Sequence, residues 1–413
     1  MSEPELTSAE LLMGAAARAL GRLPGWLQLI LSGRPQLVID NQRLAPCLQL
    51  MLKLSRARTR YGLAEPNPVE ARARFHRETI IFGGPKTPVD VREDVDITYR
   101  NATHKDVTLR ARRYSPPRSA TGDDGGGRSR ELLVYLHGGG FVIGDLDTHD
   151  EVCRLLCLHA DTHVLSVEYR LASEHPYDYA LQDARAALVW AQAHAEEFGA
   201  DPARVSLGGD SAGGNLTAVV AQMSASDGRM NASNGRMNAN EGRMSESKGR
   251  PPAAQMLIYP ATDGSEAARS RPSRKLFAEG LFITQADYEA FIHYYTDGTD
   301  VKDDDPRVSP LCANDFSALP PALVVTAGFD LLRDEGLAYA DALERGGNTV
   351  ARIHLPAFAH GFINMTGVCP CARREVIRIA KEWRVLLDKT RRETRQDEAL
   401  RVSREDEALN VLR

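Results

Sequence analysis

Cysteine is scarce in this 413-residue sequence, neither sign of charge dominates, and no long apolar run occurs. Each shortage closes off a class of protein. The six cysteines, at positions 47, 153, 157, 312, 369 and 371, form neither a disulfide framework nor paired C-x-x-C zinc motifs, so neither staples nor a structural metal are expected. Cys153 and Cys157, four residues apart on a helix-like stretch, read as buried thiols. Cys369-Pro370-Cys371 is too short for an easy bridge, and no metal site is expected there. A reducing, cytoplasmic compartment follows as an expectation.

The 51 Lys and Arg against 56 Asp and Glu leave a formal charge of −5, which removes the basic footprint of a nucleic-acid binder. The stretch Leu23–Gly33 has 11 residues before Arg34, short of the roughly 20 needed to span a bilayer. It reads as a core or cap helix, with contact at a membrane surface as the alternative. Glu3, Glu5 and Glu10 stand where a secretory signal would carry Lys or Arg, so no cleaved signal is expected.

What is present is the composition of a globule with a large core, 43% apolar and 26% charged residues. Residues 1–76 read as helical pieces broken by Pro24, Pro35, Pro46, Pro66 and Pro68, with no clear strand alternation. From Val91, VREDVDITYR and VTLRARRYS alternate across a polar turn near Asn101–Lys105, the pattern of an antiparallel hairpin. After a Gly/Ser/Pro-rich loop (SPPRSATGDDGGGRSR), short apolar runs recur at Leu132–Leu136, Val164–Val167, Val205–Leu207, Met256–Tyr259, Leu323–Thr326 and Val350–Leu355. Helix-length stretches, among them Tyr179–Phe198 and Asp334–Arg345, lie between most of them. Strands alternating with helices predict right-handed crossovers and a mostly parallel sheet covered on both faces. Chemistry in such sheets lies beyond the carboxyl ends of strands.

Two segments stand apart. Residues 228–250 repeat with a period of seven (GRMNASN, GRMNANE, GRMSESK, then GRPP). One Met per unit is too little apolar surface for a coiled coil, so the repeat reads as a mobile surface loop, dispensable for catalysis. From Lys389 onward, QDEALR and EDEALN echo each other in a charged tail, read as either a solvated helix or disorder.

The strongest chemical signal is Gly209-Asp210-Ser211-Ala212-Gly213-Gly214, directly after the strand-like RVSL and before an apolar helical run, Leu216–Met223. This is the G-x-S-x-G elbow in its expected context: small residues at 209 and 213 let the chain turn sharply and lift the Ser211 hydroxyl above the sheet. The rival reading makes Asp210 or Ser211 a helix cap. His137-Gly138-Gly139-Gly140-Phe141 follows LLVYL, and a glycine run at a strand exit leaves backbone N–H groups bare for a substrate oxygen. A phosphate loop is the weaker reading, because no Lys-Ser/Thr pair follows.

A serine nucleophile needs a base, and in this fold order the acid and then the histidine follow it. Only His354 and His360 come after residue 330. His354 lies inside the strand-like VARIHLP, whereas His360 lies beyond it beside Gly361, where an imidazole can reach the sheet edge. For the acid, Asp330 closes ALVVTAG, its rival duty being an N-cap. Asp263, after MLIYP, is the competing carboxylate. Asp334 and Glu335 are expected inside the following helix, pointing away.

With these residues in view, the sequence resembles the bacterial hormone-sensitive lipase family of α/β-hydrolases. The resemblance runs over roughly residues 75–388, through HGGGF, YRLA with EHP, DPARVSLGGDSAGGN, Tyr259-Pro260, DPRVSPL, DLLRDEG and HGF. It implies an α/β-hydrolase fold: a mostly parallel eight-stranded sheet, helices on both faces and a helical cap. The cap would come from residues 1–76 and an insertion at about 264–304, the segment around Leu276–Tyr295 lying over the acyl pocket; 77–388 would be the catalytic domain and 389–413 a tail. It implies Ser211 as nucleophile, His360 as general base and acid, Asp330 as orienting acid, and the N–H groups of Gly139, Gly140 and Ala212 as oxyanion hole. His137, Gly138, Gly209, Asp210 and Gly213 would support them. Ser173 departs from the family's usual proline, and the N-terminal extension is longer than is typical.

The expected function is a serine carboxylesterase acting on short- to medium-chain esters through an acyl-enzyme, needing no metal or organic cofactor. An amidase or N-deacylase using the same triad is the alternative. A third reading is a non-catalytic receptor on the same fold, like the plant gibberellin receptors that resemble this family but lack the histidine. The partners expected are a small-molecule ester and a second copy in a homodimer through a sheet edge, with no nucleic acid and no stable membrane insertion. Whether the aromatics between Phe277 and Tyr295 line the pocket or only hold the cap together stays open.

Overall fold

The computed structural model describes residues 6–56, 63–64, 67–101, 103–117, 130–233, 249–279 and 281–411. Most of the Gly/Ser/Pro-rich loop (118–129) and of the heptad repeat (234–248) lies outside them.

The chain opens with helices α1 (Ser8–Gly21), α2 (Gly25–Ser32), α3 (Pro46–Arg56) and α4 (Pro68–Gly83), with a two-residue ladder, β1 (Val38–Ile39) and β2 (Gln42–Arg43), between α2 and α3. That ladder corrects the expectation of helix alone; two residues per strand are too few to leave an alternation. Strands β3 (Val91–Arg100) and β4 (Asp106–Ser115) form the hairpin, paired residue for residue across the Asn101–Lys105 turn. There follow β5 (Arg130–Leu136), α5 (Asp150–Ala160), β6 (His163–Val167), α6 (Tyr177–His194), β7 (Ala200–Asp210), α7 (Ala212–Ser233) and β8 (Gln255–Ile258). The last part runs α8 (Pro272–Leu276), α9 (Gln285–Thr296), β9 (Ala322–Phe329), α10 (Arg333–Arg345), β10 (Val350–Ala359) and α11 (Pro370–Val411).

Eight strands form one sheet in the order β10-β9-β8-β7-β5-β6-β4-β3. Neighbours from β10 to β6 are all parallel, and only β4 and β3 pair antiparallel. Residues of a strand alternate between faces, and β5 shows the outcome. Leu133 and Tyr135 join a core with Leu156 of α5 and Trp383 of α11, while Leu132, Val134 and Leu136 join another with Leu188 of α6 and Val219 of α7. Burial on both faces explains why these strands read as unbroken apolar runs. The chain leaves β5 for β6 on one side and returns to β7 on the other, so the strand order reverses between β5 and β7. The crevice at their carboxyl ends is where an open α/β sheet binds ligands.

Two further expectations are corrected, and one left open between two readings is decided. Helix α7 continues to Ser233 and takes in the start of the repeat. It grows from a buried run, Leu216–Val220, and extending a formed helix is cheap compared with starting one. Of the two readings of the tail, the helix is the one seen, continuing α11 unbroken from Pro370 to Val411. Finally, Cys47 of α3 and Cys371 of α11 form a disulfide across 324 residues of sequence. The fold packs Leu44 and Leu48 into one core with Val368 and Cys369, a proximity that cysteine spacing alone does not reveal. Cys153, Cys157 and Cys369 are buried free thiols, and burial pushes the first two up beyond any ordinary thiol value.

Candidate active site

Strand ends deliver the chemistry. β7 ends at Asp210, and the chain turns at Ser211, whose φ of 52° lies in the left-handed region, before α7 starts at Ala212. A non-glycine residue is strained there. The turn is held by Ser211 N–H donating to Ile258 O at 2.9 Å and by Asn215 N–H donating to Ser211 O at 3.0 Å. It is tight enough that a Cβ at residue 213 would collide with the carbonyl of Leu136 on β5, which requires glycine.

His360 is the residue after β10, and Asp330 the residue after β9. Nε2 of His360 lies 2.9 Å from Ser211 Oγ, and its Nδ1 lies 2.8 Å from Asp330 Oδ2. All three residues are buried. The other oxygen of Asp330 accepts Leu332 N–H at 2.8 Å, so the same carboxylate also caps the turn into α10; orienting and capping are not exclusive. The Tyr259 ring lies 4.5 Å from the His360 ring, centroid to centroid.

The rival residues are occupied elsewhere. The His354 ring, on β10, lies with Nδ1 2.9 Å from Thr326 Oγ1. Asp263 accepts from Ser265 and pairs with Arg271 at 2.8 Å. Glu335, expected to point away, is fully buried, accepts Thr262 N–H at 2.8 Å and pairs with buried Arg274 at 2.7 Å. It thereby ties α10 to α8 and the end of β8. The Arg274 guanidinium also lies 3.8 Å over the Tyr288 ring. A cavity bounded by Ser265, Arg274, Tyr288 and Glu289 includes none of Ser211, Asp330 and His360.

The glycine run leaves β5 opposite the serine. Among the described residues, the N–H groups of Gly139, Gly140 and Ala212 donate to no protein acceptor, and the last belongs to the positive end of α7. Gly140 has φ of 60°, and a Cβ there would strike the Phe291 ring of α9. One residue on, Phe141 stacks on Tyr295 of α9, with centroids 3.7 Å apart and rings 7° from parallel. On the other side, Arg72 of α4 donates to Val142 O at 2.7 Å and pairs with Glu174 at 2.6 Å. Of the aromatics left open above, Phe291 and Tyr295 press on the glycine loop. Phe277 instead contacts Phe329, with centroids 5.8 Å apart.

Beneath the loop lies a second His–Asp pair that sequence reasoning missed. Asp210 is buried and accepts Gly138 N–H at 2.9 Å and Tyr135 O–H at 2.8 Å, with His149 Nε2 at 3.4 Å. Burial opposes its ionisation, yet the His149 ring, the Tyr135 hydroxyl and the Gly138 N–H hold its pKa below the ordinary value. Burial, reinforced by neighbouring His149, pushes His137 down to about 4, so this imidazole is neutral at pH 7. It stacks on Tyr169, whose hydroxyl donates to His137 O at 2.8 Å. Only the cluster THDE at 148–151, just past the glycine run, hinted at His149.

A model of the family described as alpha/beta hydrolase fold matches residues 133–364. The carboxylic ester hydrolase LipN of Mycobacterium tuberculosis is 41% identical over 354 residues, 86% of each chain. An ethyl acetate hydrolase of Pseudomonas putida is 33% identical, covering 72% of this chain and 84% of the relative. Among solved structures, an ester hydrolase from the metagenome of Lake Arreo, complexed with a derivative of bipyridine phosphonate, superposes with a TM-score of 0.69 at 35% identity, over 86% of this chain and 99% of the other.

Proposed function

We propose a mechanism from the premise that this chain belongs to the α/β-hydrolase family, in its hormone-sensitive-lipase-like group: it is a serine carboxylesterase in which Ser211, His360 and Asp330 act as a triad. The observation that carries this reading is the hydrogen-bonded series from Ser211 Oγ through His360 to Asp330 beside three unclaimed N–H groups.

His360 Nε2 takes the Ser211 proton as Oγ attacks the ester carbonyl carbon, and the carbonyl π pair moves onto oxygen. The N–H groups of Gly139, Gly140 and Ala212 hold that oxyanion, donors that cost no reorganisation when charge develops. Collapse breaks the bond to the alcohol oxygen, which leaves with the proton carried by His360. A water then gives its proton to His360, attacks the acyl-serine and releases the acid, restoring Ser211. Asp330 keeps the His360 proton on Nδ1, so that Nε2 faces the serine as acceptor. Residues 1–76 and 264–304 form the proposed cap over the acyl pocket, supported by Ala64 N–H donating to Asp287 of α9 at 2.9 Å.

The glycine loop supplies one test. Gly140→Ala adds a Cβ against Phe291 and an unfavourable φ, and displacing one donor typically costs about 10²-fold to 10³-fold. A loss of that size in kcat on a soluble ester, with KM little changed, is expected; full kcat would remove Gly140 from the oxyanion hole. The substrate range supplies another. Across p-nitrophenyl esters of rising acyl length, kcat/KM should peak at short to medium chains and fall by about tenfold or more at the long-chain end, where the acyl group outgrows its pocket. A maximum at the longest chain would overturn the preference, and faster turnover of a matched anilide would favour the amidase.

A homodimer through an edge strand and a cytoplasmic setting belong to the same proposal. The cytoplasmic setting rests on Cys153, Cys157, Cys312 and Cys369 remaining thiols, and the Cys47–Cys371 disulfide stands against it. Among the described residues no helix is long and apolar enough to cross a membrane.

A further inference from the structure

Helix α2 is amphipathic in the inverted sense. Its polar residues Gln28 and Ser32 are buried, with Gln28 donating to Gly21 O at 2.8 Å and Ser32 Oγ accepting from Gln49 at 2.9 Å. Its apolar residues Trp26 and Ile30, one turn apart, are 65% and 64% exposed. The buried hydrogen bonds fix this orientation, since turning the helix over would deprive the buried Gln49 amide of its Ser32 acceptor and Gly21 O of its Gln28 donor. Leu31 beside them, Leu11 and Leu12 of α1, and Val38 are also exposed.

The charges that flank α2 in sequence are of one sign. Between Glu10 and Asp40 the sequence holds Arg18, Arg22 and Arg34 and no acidic residue. Arg18 turns in to Ile81 O. Arg22 and Arg34, flanking α2 in sequence, are exposed and have no carboxylate partner among the described residues. Lys53 places its ammonium at the C-terminal end of α2, 2.9 Å from Leu31 O.

We infer that the outward face of α2 docks on an anionic lipid bilayer, with Trp26 and Ile30 in the interface and the Arg22–Arg34 rim on the headgroups. An eight-residue helix is about 12 Å long and lies in the plane of the interface rather than across it. Tryptophan favours the headgroup level, where one side of its ring is apolar and the other wet. A second copy of the chain fits less well. A two-fold contact sets each patch against itself, which would bring the arginine rims together, and six apolar side chains are few beside the roughly 20–30 residues a side of a stable dimer. The inference stands independently of the esterase chemistry.

Sedimentation of the full chain with vesicles tests it, comparing equal parts phosphatidylcholine and phosphatidylglycerol with phosphatidylcholine alone. The chain is expected to sediment with the anionic vesicles, less as salt rises, and far less with the neutral ones. The Trp26→Ser/Ile30→Ser double variant should lower the partition constant by about tenfold or more. Arg22→Gln and Arg34→Gln should each lower it by about fivefold, on anionic vesicles alone. Unchanged thermal melts by circular dichroism identify folded variants. Vesicles that leave the chain in the supernatant, or a double variant that sediments like the native chain, would overturn the inference. So would light scattering in which the native chain is a dimer, the double variant a monomer, and neither binds lipid; the face would then belong to a second copy.

Discussion

Replacing Ser211 by Ala is expected to lower kcat on a short p-nitrophenyl ester by on the order of 10⁶-fold, leaving only the residual rate that the oxyanion donors and binding can support. The size follows from geometry. Without Oγ, the His360 Nε2 that lies 2.9 Å away has no hydroxyl to deprotonate. Among the described residues, Ser211 is the one whose hydroxyl is hydrogen-bonded to that imidazole. The fold should survive, because the bonds that hold the elbow, Ser211 N–H to Ile258 O and Asn215 N–H to Ser211 O, are backbone bonds that alanine keeps. The variant should melt within a few degrees of the native chain. Stopped-flow and steady-state assays decide the point, and a variant retaining more than about a hundredth of the native rate would mean that another group carries the acyl chain.

Asp330→Asn should cost about 10⁴-fold in kcat with almost no cost in stability. Asp330 has two duties on two different oxygens: one accepts Leu332 N–H, the other faces His360 Nδ1. An asparagine amide oxygen can accept Leu332 N–H as the carboxylate does, so the turn into α10 keeps its bond. Towards His360 the amide can offer an N–H instead of accepting one. That favours the tautomer with its proton on Nε2, where it cannot receive the serine proton, and the negative charge that stabilises the imidazolium is gone. Asp330→Ala loses the bond to Leu332 N–H as well and should be destabilised by about 1 kcal/mol. The split between the two variants, seen by kinetics and thermal melts, separates orientation from capping. An Asp330→Asn enzyme with near-native kcat would leave Asp330 a cap only.

The parts of this account visible in the sequence are those written locally. Each strand of the parallel sheet shows as a short apolar run because both of its faces are buried, and Ser211, Asp330 and His360 could be picked out because each follows such a run within a few residues, one residue beyond the strand it forms. The glycine run at the exit of β5 likewise signalled bare amides, which are those of Gly139 and Gly140, since Gly138 N–H is taken by Asp210. What remained hidden depends on contacts between distant segments. His149 meets Asp210 across 61 positions, Arg274 meets Glu335 across as many, and Cys47 meets Cys371 across 324. No periodicity or motif encodes such partners when each residue has several plausible ones. Phe291 was noticed only as one aromatic among several, since its contact with Gly140 depends on how α9 is laid over the loop. The extension of α7 into the repeat was missed because glycine in each unit argues locally for a loop, while the helix inherits its start from the buried run before it.

The central claim is that Ser211 is the one hydroxyl made nucleophilic by this arrangement, and labelling reads it without any choice of substrate. Treated with a fluorophosphonate probe, the native chain should gain a single adduct by intact mass, with peptide mapping placing it on Ser211, and the Ser211→Ala chain should gain none. An unlabelled native chain, or an adduct on any other residue, would contradict the account.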